Sequence, residues 1–188
     1  MNVYDFDGTI YDGDSTRDFY IYCLLKHPLL ILKAPYHFSG LIGYYLFKKG
    51  TKTTAKERFY RFLRSVSDVD ELLGKFWDKN IGKIKQWYYD NQREDDVIIS
   101  ASPEFIVTPA CERVGIKTVM ASVVDKETGK YQGENCHGEE KVKRFYNAFP
   151  DGKIEEFYSD SMNDLPLARL SEKPIFVKKN KLSDWECV

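Results

Sequence analysis

The sequence predicts an α/β protein, a parallel-sheet core carrying an all-helical insert, on three observations. Short apolar runs recur at residues 2–6, 97–100, 117–122 and 174–177, with helical stretches between them. Residues 15–94 repeat their apolar side chains at helical spacing, as at Phe59, Phe62, Leu63 and Val66, and show no strand alternation. Polar residues gather where the apolar runs stop, and open parallel sheets bind ligands beyond those strand ends.

Each element follows in turn. Residues 2–6 (Asn-Val-Tyr-Asp-Phe) read as a strand feeding an acidic, glycine-containing turn, and the helical block begins at about Ser15. After Asp95-Asp96, the run Val97-Ile98-Ile99-Ser100 suits a strand buried on both faces, and residues 102–115 read as a helix that ends at Gly115. Residues 117–122 form another strand, residues 123–135 hold a hairpin tip at Gly129, and residues 138–149 return to helix. Residues 153–158 lead into Ser159-Asp160-Ser161-Met162-Asn163-Asp164, and Pro174-Ile175-Phe176-Val177 is the last strand before a short tail. The core is therefore expected in residues 1–14 and 95–188, with the insert in 15–94.

Composition narrows the function classes. The chain has 188 residues, of which 43% are hydrophobic and 15% aromatic, which suits a packed domain and excludes disorder. Lys and Arg number 28 against 29 Asp and Glu, so no global field draws the chain to nucleic acid or anionic lipid. Residues 75–89 interleave lysines with aromatics and could stack on single strands. Phe76, Ile84 and Trp87 can instead line one helical face with the lysines in water, and the near-zero net charge favours that reading, so no nucleic-acid partner is expected. Cys23, Cys111, Cys136 and Cys187 lie far apart, and no secretory signal precedes the first strand, so free thiols and a cytoplasmic setting are expected. Residues 19–47 are very apolar, yet their longest uncharged run, 34–47, covers 14 residues, against about 20 for a membrane span. A buried or interfacial helical pair fits better.

The strand ends carry the chemistry. Asp5 and Asp7 flank Phe6, and alternation in an extended chain turns both carboxylates to the cleft and Phe6 to the core. Gly8 then permits a tight turn. Ser100 closes the second core strand, Asp160 follows the strand at 153–158, Asp164 stands one helical turn later, and Lys141 lies near the start of the intervening helix. Four carboxylates against one lysine call for a cation. Hard oxygen donors without His or Cys favour Mg²⁺, which bridges carboxylates to phosphate, so a phosphate ester is the expected substrate.

Taken together, Asp5-Phe6-Asp7-Gly8-Thr9, the apolar run ending in Ser100, Lys141, and Asp160-Ser-Met-Asn-Asp164 resemble the four motifs of the haloacid dehalogenase-like hydrolase superfamily. The insert after the first motif, with Asn135-Cys136-x-Gly138-x-x-Lys141, is similar to the phosphoserine-phosphatase-like subgroup. The resemblance implies a Rossmann-like three-layer core with a helical cap. It implies Asp5 as nucleophile forming an aspartyl-phosphate, Asp7 as general acid and base, and Ser100 and Lys141 as phosphate clamps. Backbone amides near Gly8 and Ala101 would join them. Mg²⁺ would be held by Asp5, the Asp7 carbonyl and Asp160, with Asp164 and Asn163 in support.

Singly, these residues have plainer readings. Asp5-x-Asp7-Gly8 could open a calcium loop, but Ile10 and Thr16 stand where that loop needs Gly and Glu. Ser100 alone could be a strand-end hydroxyl, Lys141 a solvated helix lysine, and Asp160 and Asp164 helix caps. His27, His37, His137 and Cys136 show no metal-ligand spacing and read as surface or packing residues. Other functions stay open: a phospho-acceptor signalling module, or a silent phosphate-binding domain. The apolar stretch with basic ends, Lys26 to Lys49, is similar in texture to the cap of bacterial phosphatidylglycerophosphate phosphatases, so a lipid-linked phosphate with peripheral membrane contact stands beside a small-metabolite ester. Asp14 and Arg17 fit either a contact with substrate or a helix start.

Overall fold

The structure, a computed structural model, describes residues 1–185. Cys187 and the last part of the expected tail lie outside the described residues. The chain opens with the two-residue strand β1 (Val3–Tyr4) and the acidic loop, then runs through helices α1 (Ser15–Lys26), α2 (Ala34–Phe47), α3 (Lys52–Tyr60), α4 (Val69–Asn80) and α5 (Gln86–Asn91). Next come β2 (Val97–Pro103), α6 (Glu104–Arg113), β3 (Thr118–Ser122), α7 (Glu139–Ala148), β4 (Ile154–Ser159), α8 (Leu165–Ala168), β5 (Ser171–Lys178) and β6 (Lys181–Asp184).

The six strands form one sheet in the order β3-β2-β1-β4-β5-β6. β1 lies at the centre, pairing Tyr4 with Ile98 of β2 on one side and with Tyr158 of β4 on the other, both parallel. Alternation decides which face each side chain buries. Tyr4, Phe6, Ile98 and Tyr158 join the cluster that contains Phe19, Phe62, Phe76, Trp77 and Tyr88 of the inserted block. Val3, Val97, Ile99 and Phe157 face the other way, onto Phe145 of α7 and Leu167 of α8. Helices thus cover both faces, the three-layer α/β arrangement expected from the sequence.

Three details differ from the sequence expectation. Pro174 to Val177 is not followed by a plain tail. Lys179 adopts a left-handed backbone (φ 57°), and the chain returns as β6, antiparallel to β5 with Val177 opposite Leu182, so the sheet is mixed. Trp185 secures that return by packing on Phe157 and Phe176 at 6.0 and 5.3 Å between ring centres. β2 runs past Ser100 to Pro103, but its register slips between those residues, a bulge that reaims Ala101 and Ser102. Phe76, Ile84 and Trp87 do not share one helix, because the chain breaks into a 3-10 turn at Ile81–Lys83 and Ile84 pairs in a β-bridge with Tyr11.

The inserted helices are not detached from the core. Trp77 Nε1 donates to the Ile106 carbonyl at 2.9 Å, and the Trp87 ring lies 5.4 Å from that of Tyr158 on β4. Gly129 sits at the tip of a turn with φ 72°, where Val124 and Tyr131 pair in an antiparallel bridge. Cys23, Cys111 and Cys136 are buried free thiols. Among the described residues no helix is long and apolar enough to cross a membrane.

Candidate active site

β1 ends where it must to launch two carboxylates. The Asp5 amide donates to Tyr158 O at 2.9 Å, prolonging the pairing, and Phe6 is fully buried beneath the loop. Asp5 accepts a hydrogen bond from Lys141 Nζ at 2.8 Å, and the same ammonium donates to Asp164 Oδ2 at 2.8 Å. Lys141 is 1% exposed. A buried ammonium is stable only when paired, and two carboxylates, one just after β1 and one in the segment after β4, supply that pairing. Ser159 Oγ donates to the same Asp164 oxygen, so Asp164 orients the lysine while Asp5 faces the cleft.

Asp7 has different partners. Its Oδ1 accepts from the Ser15 amide at 2.6 Å at the start of α1, and its Oδ2 accepts from Ser102 Oγ in the β2 bulge. Burial raises both carboxyl groups. Asp5 is pushed up to about 7, with Lys141 pulling against the rise and Asp164 and Asp7 adding to it. Asp7 is pushed up to about 6, with Asp14 adding and Ser102 and Ser15 opposing. Burial also works against the Lys141 ammonium, yet Asp5 and Asp164 outweigh it and hold its pKa above the ordinary lysine value.

Gly8 is required by space. Its φ is 71°, and a Cβ there would stand 2.0 Å from Asp160 Oδ2, so the Asp160 carboxylate lies directly over the glycine. Its amide donates to the Gly13 carbonyl at 2.8 Å. The Asp160 amide donates to Thr9 Oγ1 at 3.0 Å, and burial raises the Asp160 carboxyl against the pull of Lys85.

A cleft of about 200 Å³ collects most of these groups, but Gly8 and Asp160 are not among its lining residues. Asp5, Asp7, Ser100, Ala101, Lys141, Asn163 and Asp164 line it. Ser100 is buried, its Oγ accepting the Ser102 amide at 3.1 Å. Asn163 is exposed and bonded to Ser161 Oγ.

The sequence reading missed several neighbours. Lys52 and Lys56, one turn apart on α3, bring two ammonium groups to a cleft that the core alone leaves strongly negative. Lys56 Nζ donates to the Ala101 carbonyl at 3.0 Å, and burial together with Lys52 pushes its pKa down to about 8. His137, expected to be a surface or packing residue, also lines the cleft. Lys85, expected to face water with its neighbours, is buried and donates to the carbonyls of Gly8 and Lys179 at 2.5 and 2.6 Å. The only sequence signal for the α3 pair is their spacing of four, which a solvated helix face shares.

The donor chemistry fits Mg²⁺. The groups expected to hold it, Asp5, the Asp7 carbonyl and Asp160, offer only hard oxygen. Among the described residues no group of three or more His, Cys, Asp or Glu side chains forms a metal cluster.

The pattern that defines the haloacid dehalogenase-like hydrolases matches residues 3–169, which contain all four motif segments. The chain belongs to this family. Over 97 residues the hydrolase is 34% identical to a histidinol-phosphatase of Neisseria meningitidis serogroup C, covering 45% of this chain and 43% of that protein, so it spans less than half the length of that relative. A protein of unknown function from Bordetella pertussis Tohama I shares the fold with a TM-score of 0.75 at 20% identity, covering 94% of this chain and 88% of that one. A phosphoserine phosphohydrolase-like protein from Francisella tularensis subsp. tularensis superposes with a TM-score of 0.57 at 16% identity, covering 96% and 90%.

Proposed function

We propose that this hydrolase cleaves phosphate monoesters through an aspartyl-phosphate on Asp5, with Mg²⁺ as its cofactor. One observation carries the reading: two adjacent carboxylates face one cleft, Asp5 held by a buried ammonium and Asp7 by a hydroxyl and an amide. The first arrangement aims a nucleophile, with the Lys141 ammonium opposing the rise that burial imposes on its pKa. The second keeps an acid poised near neutrality.

In the first half-reaction an Asp5 oxygen bonds to phosphorus, the ester P–O bond breaks, and the departing oxygen takes a proton from Asp7. In the second, Asp7 removes a proton from water as the water oxygen bonds to phosphorus and the Asp5–phosphoryl bond breaks, restoring both carboxyl groups. Lys141, Ser100, the Ala101 amide and the α3 lysines face the phosphoryl oxygens, where fixed positive charge lowers the barrier. Mg²⁺, held by Asp5, the Asp7 carbonyl and Asp160, would neutralise charge between these carboxylates and the phosphoryl group.

The histidinol-phosphatase relative supports a phosphate ester as substrate, and a small metabolite and a lipid-linked phosphate are the two sources we propose. For the second source, the turn before α2 and α2 itself expose Leu29, Leu32 and Leu46 at 78, 76 and 72%, bordered by Lys26, Lys33, Lys48 and Lys49. That face suits peripheral contact with the inner side of a membrane in a cytoplasmic enzyme. The residues 15–94 would act as the cap over the site. Phosphate release from a panel of esters, with Mg²⁺ or EDTA, tests the chemistry. Asp5→Asn is expected to abolish Mg²⁺-dependent release while keeping the wild-type circular dichroism. Wild-type turnover by that variant contradicts the mechanism.

A further inference from the structure

A second cavity of about 300 Å³ opens beside the cleft. Its apolar walls are Phe38, Leu41 and Tyr45 of α2 and Phe59 and Tyr60 at the end of α3, and Asp14, Thr16, Arg17, Lys56 and Ser102 form a polar rim. The walls are built rather than incidental. Phe38 and Phe59 lie 5.3 Å apart, and Tyr20 braces both at 5.5 and 5.0 Å. Gly40 lets α2 approach α3 closely, since a Cβ there would stand 3.1 Å from the Ala55 carbonyl.

Three residues, Asp14, Lys56 and Ser102, line both cavities. Ser102 is the hydroxyl bonded to Asp7, so the apolar cavity begins at the carboxyl group that serves the departing oxygen. In an in-line displacement the leaving alcohol lies opposite the nucleophile, on the side of the acid. The Asp14 carboxylate is engaged by the Arg17 amide at 2.8 Å as the cap of α1, so the polar rim is partly committed to structure.

We propose that this second cavity binds the alcohol portion of the substrate, and that the alcohol is apolar, an aryl or alkyl group. The inference rests on the phosphatase reading and names the substrate class within it. The volume stands at the small end of ligand sites, enough for one ring system or a short chain. A small, doubly charged alcohol such as serine would find charged partners only at the rim, where Arg17 is already paired with Asp18 and Lys56 with the Ala101 carbonyl, and would leave Phe38, Leu41 and Phe59 uncovered. The cavity mouth at Tyr45 adjoins the exposed apolar face of α2, so the same group could arrive as a free ester or as the end of a lipid.

The test compares kcat/KM for 2-naphthyl phosphate, phosphoserine and phosphatidic acid in vesicles, in wild type and in Leu41→Asp. Leu41 is only partly buried, so the variant is expected to fold. Wild type should prefer naphthyl phosphate to phosphoserine, and Leu41→Asp should lower that preference roughly tenfold or more, the range for misfitting one aliphatic group in an apolar pocket. Tyr45→Glu, at a residue 60% exposed, provides a second variant should the first misfold, with the same expected direction. Turnover of the vesicle substrate as well as the dissolved one assigns the alcohol to lipid, and turnover of the dissolved ester alone assigns it to a soluble compound. Equal or better turnover of phosphoserine, or a preference that neither variant moves, overturns the inference and leaves the phosphatase reading intact. Silence on every ester overturns the phosphatase reading itself.

Discussion

Asp7 shows how a single residue is tuned by its surroundings. It stands two positions after Asp5 in a strand-end turn, yet its partners come from α1 and from a bulge some ninety positions downstream. Burial raises its pKa, so between the ordinary carboxylate range near 4 and its raised value of about 6 the folded state binds more protons than the unfolded state. The contribution of Asp7 to stability therefore falls as pH rises through that window. Without Mg²⁺, the stability of wild type minus that of Asp7→Asn should decrease from about pH 4 to about pH 7 in urea titrations. A difference that rises with pH contradicts the burial argument. At this scale the sequence is most legible: Asp5, Asp7, Ser100, Lys141, Asp160 and Asp164 stand where local alternation and strand ends place them. Lys52, Lys56 and Ser102 were hidden, because their value comes from tertiary approach, and a lysine pair on a helix carries no local mark of burial.

At the scale of elements, two backbone devices assemble the site. The slip in β2 after Ser100 turns Ser102 onto Asp7, and the left-handed Gly8 lets Asp160 close over the loop. The sequence announced the glycine but not the slip, since a bulge depends on the partner strand's register. Gly8→Ala tests the second device. An L residue at that φ costs about 1–2 kcal/mol, which a folded domain tolerates. The new methyl group must displace the Asp160 carboxylate, so the Mg²⁺ concentration for half-maximal activity is expected to rise by roughly tenfold or more. An unchanged Mg²⁺ requirement would show that Asp160 does not serve the ion. The β5–β6 hairpin escaped the sequence reading for a different reason: its turn, Lys179-Asn180, lacks the glycine that usually marks one, and every residue of β6 is on the exposed side, with no buried apolar alternation to mark a strand.

On the scale of the whole molecule, the insert divides into two roles. Trp77 ties its later helices to α6 and Tyr88 and Trp87 tie them to the sheet, whereas α2 rides outward with its apolar face uncovered. The layered core was legible because order and alternation are local signals that the sheet then obeys. The division within the insert was not, since the chain from residue 68 to 94 has the same helical texture as the chain before it. The exposed face predicts binding to vesicles. Co-sedimentation with anionic liposomes should retain wild type and lose Leu29→Asp/Leu46→Asp, with added salt weakening retention through the lysines. Wild type that stays in the supernatant at low salt removes the membrane from the account.

The central claim, that Asp5 carries the phosphoryl group, is tested most directly by acid quenching the Asp7→Asn variant during reaction with 2-naphthyl phosphate and mapping the modified peptide by mass spectrometry. The account predicts a phosphoryl adduct on the peptide containing Asp5, dependent on Mg²⁺ and absent from Asp5→Asn. An adduct on any other residue, or phosphate release by Asp5→Asn at the wild-type rate, would contradict it.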